Sequence, residues 1–279
     1  RLSLVGSEMC IRDSLGGSSA NMGVQLTLFG GNCNLLTRVS DDALGRFAIN
    51  QLNHYGVKNK LVKFEKNETR ISFAIVETTV KDHQSIIYRH KASDLFLNND
   101  DIEKANIQNF DCLLITGTSL AAEPSRSATL YALDIANKNN IPVIMDIDYR
   151  PYTWESSNKA KEVYNLAASK CSGVIGNDDE FGVLAGDYNN GLDHAKQLAK
   201  NVSLIIYKKG EKGSITFAMN KEIKKGIFPV KPLKPTGAGD AFMGSLIGSI
   251  LKTNDLEKSI EIGSAAAAIV VTKVGCAPA

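Results

Sequence analysis

A glycine-rich turn near the carboxyl end of the sequence carries the clearest chemical signal. Thr236, Gly237, Ala238, Gly239 and Asp240 precede a stretch of small and apolar residues that predicts a helix. A turn of this kind at a helix start leaves several backbone N–H groups unpaired, and together they bind an anion. Phosphoryl transfer needs such donors and a carboxylate that accepts the proton of the acceptor hydroxyl. The turn therefore predicts phosphoryl transfer with Asp240 as base, although a helix cap at Asp240 explains it equally well.

Three more groups of polar residues lie at the carboxyl ends of predicted strands. They are Asp148 and Arg150 after the strand at 143–147, Asn177 and Glu180 after the strand at 173–175, and Lys208, Gly210 and Gly213 at the end of the strand at 203–208. Ligands bind at this edge of open α/β sheets. The planar guanidinium of Arg150 suits a phosphate or a substrate oxygen. Each group also has a structural explanation, namely a local ion pair, a helix cap and an ordinary hairpin turn.

Strands and helices alternate through the segment that carries these residues. Strands are predicted at 112–116, 143–147, 173–175 and 203–208, and helices at 125–139 and 158–169. Strand–helix–strand spacing of this kind indicates parallel strands joined by right-handed crossovers. An antiparallel edge is predicted at 214–218 and 222–229, and two helices at 237–252 and 256–272.

The amino-terminal half of the sequence predicts a different arrangement. A helix capped by Ser18 ends at Gly30, a strand follows at 34–39, and a second helix starts at Asp42 and ends near Gly56. Two β-rich segments, 70–78 and 84–90, flank a polar turn. They predict a hairpin that is separate from the main sheet.

Composition argues against several other classes of function. The 279 residues include 32 basic and 30 acidic side chains, scattered along the chain, so we expect neither nucleic acid nor a membrane surface as partner. The five cysteines and four histidines lack the spacing of a zinc site or a disulfide framework, which favours a reducing cytoplasm. No apolar run is long enough to cross a bilayer. A dinucleotide-dependent dehydrogenase is disfavoured because no G-x-G-x-x-G motif follows a first strand.

Two motifs together resemble the signatures of the ribokinase-like (pfkB) carbohydrate kinases. Residues 16–21 resemble the first signature and residues 237–240 the second, and the likeness runs from Leu15 onward. The resemblance implies an α/β fold of three layers, with a central, mostly parallel sheet and a small β lid. It makes Asp240 the catalytic base, with Gly237, Ala238 and Gly239 as the anion hole.

The same resemblance implies the remaining site residues. Sugar contacts fall to Gly17, Asn21, Arg89, Asp148 and Arg150, nucleotide contacts to Asn177, Lys208, Gly210 and Gly213, and the metal to Glu180. ATP and Mg²⁺ are the implied cofactors, with a monovalent cation as an optional third. The implied partner is a small sugar acid, and pairing of lid hairpins in the family makes a homodimer an alternative to a monomer.

Several segments resemble one branch of that family, the 5-dehydro-2-deoxygluconokinases of inositol breakdown. They are 88–89, 117–118, 146–154, 275–276 and the Lys-Pro at 234–235, where the family usually has Asp-Thr. The predicted reaction is ATP-dependent phosphorylation of a primary hydroxyl of 5-dehydro-2-deoxy-D-gluconate, whose carboxylate Arg89 would pair with. A solvated arginine at a strand end is the structural alternative. The functional alternatives are a 2-keto-3-deoxygluconate kinase, a fructokinase-like enzyme, or a truncated, non-catalytic nucleotide- or sugar-binding remnant.

The two ends of the sequence depart from the family pattern. Residues 1–14 lack helical or strand periodicity and resemble translated adapter sequence, and the chain stops soon after 275–276. We therefore predict that 1–14 are not native, that the kinase domain spans 15–279 with lid strands within 70–90, and that the family's first strand is missing or replaced. Because a lost central strand leaves its neighbours unpaired, we expect low stability and weak activity.

Overall fold

Helices and strands alternate in the computed structural model, which describes residues 14–66, 68–76, 85–234 and 236–276. The strands are β1 (Thr37–Ser40), β2 (Val62–Glu65), β3 (Phe73–Val76), β4 (Ser85–Tyr88), β5 (Leu113–Thr116), β6 (Val143–Asp146), β7 (Gly173–Asn177), β8 (Leu204–Lys208), β9 (Ser214–Ala218) and β10 (Lys221–Lys225). The helices are α1 (Ser18–Leu28), α2 (Ala43–His54), α3 (Asn99–Ala105), α4 (Ser125–Lys138), α5 (Ser157–Ala168), α6 (Asp178–Ala185), α7 (Gly191–Leu198), α8 (Ala238–Thr253) and α9 (Leu256–Val270). The alternation predicted from the sequence is confirmed.

The main sheet has six strands in the order β10-β9-β8-β7-β6-β5. Strands β5 to β8 pair in parallel, whereas β9 and β10 form the predicted antiparallel edge. Strand β10 ends at Lys225 rather than at 229, because Gly226 follows and Pro229 has no N–H group for a ladder. The central, mostly parallel sheet is therefore confirmed.

Helices cover both faces of this sheet. Alternate side chains of β6 point to opposite faces, so Met145 packs in the cluster of α4, α5 and α6, and Ile144 packs in the cluster of α1, α8 and α9. All four residues of β6 are buried, as expected for a parallel strand that is covered on both faces. The three layers predicted from the sequence are confirmed.

Two smaller sheets lie apart from the main one. Strand β1 pairs in parallel with β2, and β3 pairs with β4 as the predicted lid hairpin, whose turn at 77–84 lies outside the described residues. The sequence analysis missed β2, α3 and α7, which have only 4, 7 and 8 residues and are shorter than the stretch over which a pattern is recognised. Reciprocal hydrogen bonds between Asn98 and Asp101 nevertheless cap α3.

The predictions that residues 1–14 are not native and that a first strand is lost concern a segment that, apart from Ser14, lies outside the described residues. Within the described part of the chain, none of the helices is long and apolar enough to cross a membrane. Four of the cysteines, Cys33, Cys112, Cys171 and Cys276, are described and have free thiols.

Candidate active site

The carboxyl ends of β6, β7 and β8 meet the start of α8. Asp146 ends β6, Asn177 ends β7 and Lys208 ends β8, with Asn177 and Lys208 paired in the sheet. The ammonium of Lys208 lies 3.7 Å from Oδ1 of Asp146, and 3.4 Å from the place where a Cβ on Gly239 would lie. The sheet edge and the glycine turn, which are far apart in sequence, therefore form one site.

The backbone of the turn requires glycine at its first position. Gly237 has φ 90° and forms the N-cap of α8, and its carbonyl accepts from the N–H of Ala241 at 3.0 Å. A Cβ at position 237 would lie 3.1 Å from both Cα and Cβ of Cys276. Since no side chain among the described residues caps the helix, the N–H groups of its first turn remain available to an anion.

Asp240 lies in the first turn of α8 and is half-buried. Its Oδ2 accepts a hydrogen bond of 2.7 Å from Nδ2 of Asn21. The pKa of Asp240 is raised to about 8, mainly by burial. The charges of Asp148 and Asp146 also raise it, and they outweigh the hydrogen bond from Asn21 and the charge of Lys208, which lower it. A carboxylate with a pKa near neutral accepts a proton effectively at physiological pH.

Helix α1 brings the predicted sugar contacts to Asp240. Asn21 is buried, and its Oδ1 has no hydrogen-bond partner among the described residues. Gly17, with φ 95°, is the N-cap of α1 and has open space where a side chain would be. The predicted cap at Ser18 is wrong, because its hydroxyl donates instead to Oδ2 of Asp148. Asn21 thus presents an unused acceptor beside the carboxylate of Asp240.

Asp148 and Arg150 form the local ion pair that was the structural explanation for them. Nη2 of Arg150 lies 2.7 Å from Oδ1 of Asp148, which is buried and has φ 39°. Burial lowers the pKa of Arg150, but the charges of Asp148, Tyr152, Glu180 and Asp240 raise it by more. A positive φ outside glycine costs about 1–3 kcal/mol, so the surrounding contacts must hold Asp148 in this conformation. Arg150, whose side chain is 47% exposed, keeps its charge next to the base.

Asn177 and Glu180 form a capping box at the start of α6. Oδ1 of Asn177 accepts from the N–H of Glu180 at 2.8 Å, and Oε2 of Glu180 accepts from the N–H of Asn177 at 2.7 Å. The pKa of Glu180 is raised to about 7, mainly by burial. The charge of Asp146 also raises the pKa, and the charge of Lys208 lowers it. The helix cap is therefore real, and the same carboxyl also belongs to the charged site.

Lys208, the last residue of β8, belongs to the site, whereas Gly213 in the loop that follows serves the fold. Burial acts to lower the pKa of Lys208, but Asp146, Glu180 and Asp240 outweigh it and raise the pKa. Gly213 has φ 78°, and a Cβ there would lie 2.0 Å from the carbonyl oxygen of Lys225. Strand packing thus accounts for Gly213. Nothing lies within 4 Å of a Cβ at Gly210, which borders open space.

Arg89 follows the lid strand β4 and is held in place. Its Nη1 donates to the carbonyl of Thr118 at 2.9 Å, and its Nη2 pairs with Asp94. The side chain is only 12% exposed, which differs from the solvated arginine of the structural alternative. Burial raises the pKa of Tyr152, and the charges of both Arg150 and Arg89 lower it. The two guanidiniums therefore both lie near enough to Tyr152 to affect it electrostatically.

The sequence analysis placed none of Asp146, Ser18 and Cys276 in this site, although all three contact it. Asp146 is buried, and its Oδ1 has no hydrogen-bond partner within the described ranges. A signal was present, since an aspartate that ends a fully apolar strand is unusual. Cys276 was marked only by the resemblance at 275–276, and its approach to the turn is seen only in the folded chain.

The chain is similar to proteins of one family along nearly its whole length. The profile described as pfkB family carbohydrate kinase matches residues 3–279. A 5-dehydro-2-deoxygluconokinase of Photobacterium profundum is 35% identical over 271 residues, which cover 95% of this chain and 82% of that protein. A protein of the same name from Geobacillus kaustophilus is also 35% identical, with 95% and 81% covered.

Solved structures of sugar and nucleoside kinases share the fold. Fructokinase from Vibrio cholerae, in its fructose-, ADP- and calcium-bound form, superposes with a TM-score of 0.84 at 24% identity, covering 94% of this chain and 86% of that one. Aminoimidazole riboside kinase from Salmonella enterica, with aminoimidazole riboside and an ATP analogue, gives a TM-score of 0.81 at 22% identity and the same coverage. The architecture is therefore that of the ribokinase-like kinases.

Proposed function

Because the chain belongs to the pfkB family of carbohydrate kinases and is an ATP-dependent sugar kinase, we propose that its acceptor is 5-dehydro-2-deoxy-D-gluconate. The single observation that carries the site assignment is Asp240, whose carboxyl contacts Asn21 and has a pKa of about 8 at the start of α8. The names of the relatives that are 35% identical support the acceptor.

The arrangement around Asp240 suggests how each residue would act. Asp240 takes the proton of the acceptor's primary hydroxyl, whose oxygen then forms a bond to the γ-phosphorus of ATP as the bond to the bridging oxygen of ADP breaks. The N–H groups of residues 237–239 stabilise the charge on the transferring group. Lys208 and Arg150 add fixed positive charge on the side of the sheet. Catalysis rests on positioning and electrostatics, as phosphoryl transfer requires.

The carboxyl groups beside Lys208 fit a divalent cation. Asp146 offers a buried oxygen without a hydrogen-bond partner among the described residues, and Glu180 offers a second carboxyl. Mg²⁺ prefers oxygen ligands and keeps several of its own waters, so two carboxyls are enough to hold it. We propose Mg²⁺ as the ion, which when bound neutralises part of the charge of the triphosphate.

A panel of acceptors tests the proposed substrate. The chain is incubated with ATP, Mg²⁺ and either 5-dehydro-2-deoxygluconate, 2-keto-3-deoxygluconate or fructose, and ADP release is followed by a coupled assay. We expect the highest kcat/KM for the first acid. A higher value for one of the others would replace the proposed acceptor by that sugar, and ATP binding without transfer would indicate the non-catalytic remnant.

The lid arginine supplies a prediction about substrate charge. Arg89→Ala is expected to raise the KM for the sugar acid about 10- to 100-fold, since a hydrogen bond to a charged group contributes ~1.5–3 kcal/mol. The KM for ATP should change less than about twofold, because only binding of the acid is lost. Initial rates at varied concentrations of each substrate measure both constants.

Two further variants separate charge from packing at this position. Arg89→Lys should recover part of the affinity, and Arg46→Ala, at an exposed position of α2, should leave both constants unchanged. An unaltered KM for the acid in Arg89→Ala would contradict the assignment of its carboxylate to Arg89.

The lid hairpin also supports a homodimer. Phe73 pairs with Tyr88 and Ile75 with Ile86, so these four side chains share one face of the hairpin. They are 44% to 58% exposed. An apolar face of this kind on a two-stranded sheet indicates an interaction surface, and a second copy of the hairpin is its simplest complement.

A double substitution tests this dimer. Analytical ultracentrifugation should show a dimer for the unaltered chain and a monomer for Ile75→Lys/Ile86→Lys, because burying unpaired like charges on this face of both copies is costly. Leu166→Lys, at an exposed leucine of α5, should remain dimeric. A monomeric unaltered chain at micromolar concentration would refute the proposal.

A further inference from the structure

Lys234 lies immediately before the glycine turn and is among the most deeply buried side chains, with 2% exposure. Its ammonium donates to the carbonyl oxygen of Thr236 and lies 3.7 Å from Sγ of Cys276. Its backbone N–H donates to the carbonyl of Val271 at 3.2 Å. One side chain therefore joins the segment before the turn, the turn itself and the chain that follows α9.

The charge of Lys234 is unusual for such a buried position. Lysine is almost never fully buried unless it is paired, because transfer of an isolated ammonium from water is costly. Within the ranges that the structure describes, no carboxylate forms an ion pair with it, and its side-chain contacts are a carbonyl and a thiol. Burial raises the pKa of the Cys276 thiol, so the sulfur is a neutral neighbour. Among the described residues the ammonium of Lys234 is therefore not paired with a carboxylate, and it lies next to the proposed anion-binding turn.

The hydrogen bond from Lys234 to the carbonyl of Thr236 determines where the N–H of Gly237, the first donor of the turn, points. The carbonyl of Thr236 and the N–H of Gly237 belong to one planar trans peptide, so the two groups point in opposite directions. Lys234 holds the carbonyl, and the N–H of Gly237 is thereby directed away from Lys234 and out of the turn. Cys276 also packs close to this part of the turn, since a Cβ on Gly237 would lie 3.1 Å from its Cα.

We propose that Lys234 is a positioning residue that acts as a built-in monovalent cation, holding the 237–239 turn and adding positive charge behind the phosphoryl group. This inference rests on the proposed role of that turn in phosphoryl transfer. It has two consequences: the unaltered enzyme needs no added monovalent cation, and removal of the side chain leaves a space bounded by the Thr236 oxygen and the Cys276 sulfur. A small cation can fill that space.

Kinetics with and without small cations test this role. We compare three chains: the unaltered one, Lys234→Ala and the exposed-lysine control Lys231→Ala. Their rates are measured first in a buffer whose only monovalent cation is tetramethylammonium. The assay is then repeated with added ammonium, methylammonium or potassium chloride. Lys234→Ala is expected to lose about 10- to 100-fold in kcat, the effect of a displacement of roughly 1 Å at the reacting centre, with little change in either KM. Ammonium or methylammonium should restore most of this loss in a saturable way, and the unaltered chain and Lys231→Ala should not respond.

Each outcome decides the inference. A folded Lys234→Ala with unaltered kcat, or a loss that no cation relieves, would overturn it, because a residue that only packs gives no cation rescue. Should Lys234→Ala fail to fold, Lys234→Met keeps the volume without the charge: a folded methionine variant with kcat reduced at least about tenfold supports the role, and one with unaltered kcat refutes it. Asp240→Asn in the same series separates the two proposals. If Asp240→Asn is inactive and Lys234→Ala is fully active, only the inference about Lys234 fails; if Asp240→Asn retains its kcat, the role of the turn fails.

Discussion

Asp240→Asn is expected to lower kcat about 10³- to 10⁴-fold, the upper range for loss of a general base. The amide that replaces the carboxylate cannot accept the proton of the acceptor hydroxyl. Since Asn21 can still donate to the new side chain, binding of the sugar should be kept, and the KM values should change little. Rapid-quench or coupled steady-state assays measure the loss, and Asp134→Asn, at an exposed position of α4, is the matched control.

The pH profile of the unaltered enzyme should show the same group. Only the ionised carboxyl acts as base, so kcat/KM should rise with pH through the pKa of about 8 for Asp240. Glu180, with a pKa of about 7, titrates close by, so the rise reports both carboxyls together. A profile that is flat from pH 6 upward, or substantial activity in Asp240→Asn, would contradict the assignment.

The stability of the same variant checks that it is folded. In the unfolded chain Asp240 returns to its ordinary pKa of 3.8, so between about pH 4 and 8 the folded chain holds a proton that the unfolded chain has lost. The free energy of unfolding of the unaltered chain therefore falls as pH rises through this window. Asparagine has no such proton, so the Tm of Asp240→Asn relative to the unaltered chain should rise steadily from pH 5 to pH 8.

Lys208→Met is expected to lower kcat about 10²- to 10³-fold, the range found when one electrostatic stabiliser of a transition state is removed. Lys208 is the cation that lies against both Asp146 and the turn at Gly239. Because its charge lowers the pKa of Asp240 and of Glu180, its loss should also move the rise of kcat/KM to higher pH. The direction of that displacement separates an electrostatic role from simple loss of packing.

A matched substitution and a binding measurement complete this experiment. Lys200→Met, at an exposed lysine after α7, should keep both kcat and the pH profile. Calorimetric titration with ADP should show weaker binding to Lys208→Met than to Lys200→Met, since one cation near the phosphates is missing. An unchanged pH profile together with unchanged kcat would exclude Lys208 from the site.

The sequence determined most of the segments that form the main sheet and its helices, and also the turn, because those signals are local. Strand β6 is a continuous apolar run, α8 follows glycines, and the Asp42 cap of α2 precedes a helical pattern. Each of these depends on residues within a few positions of one another. The predicted site residues that lie at strand ends also came together, since carboxyl ends of parallel strands meet at one edge.

Only the tertiary structure determined which of those residues contact one another and how their charges interact. The pKa of Asp240 depends on Asn21, Asp146, Asp148 and Lys208, which come from other elements of the chain. Arg89 is held by Asp94 and Thr118, and Ser18 contacts Asp148 instead of capping its helix. Periodicity contains no information about these contacts, because electrostatic and hydrogen-bond energies depend on distances between segments far apart in sequence.

Lys234 shows the difference most clearly. In the sequence Lys234 was a departure from the family's usual Asp-Thr and part of the resemblance to one branch. Between Leu233 and Pro235 it has no local pattern that indicates burial. The fold places its ammonium against Thr236 and Cys276, although Cys276 is 42 residues further along the sequence. The sequence by itself thus determined the turn and its carboxylate. Only the packing of α8, α9 and the chain beyond them decided what holds the turn in place, because burial of a charge is a property of the whole fold.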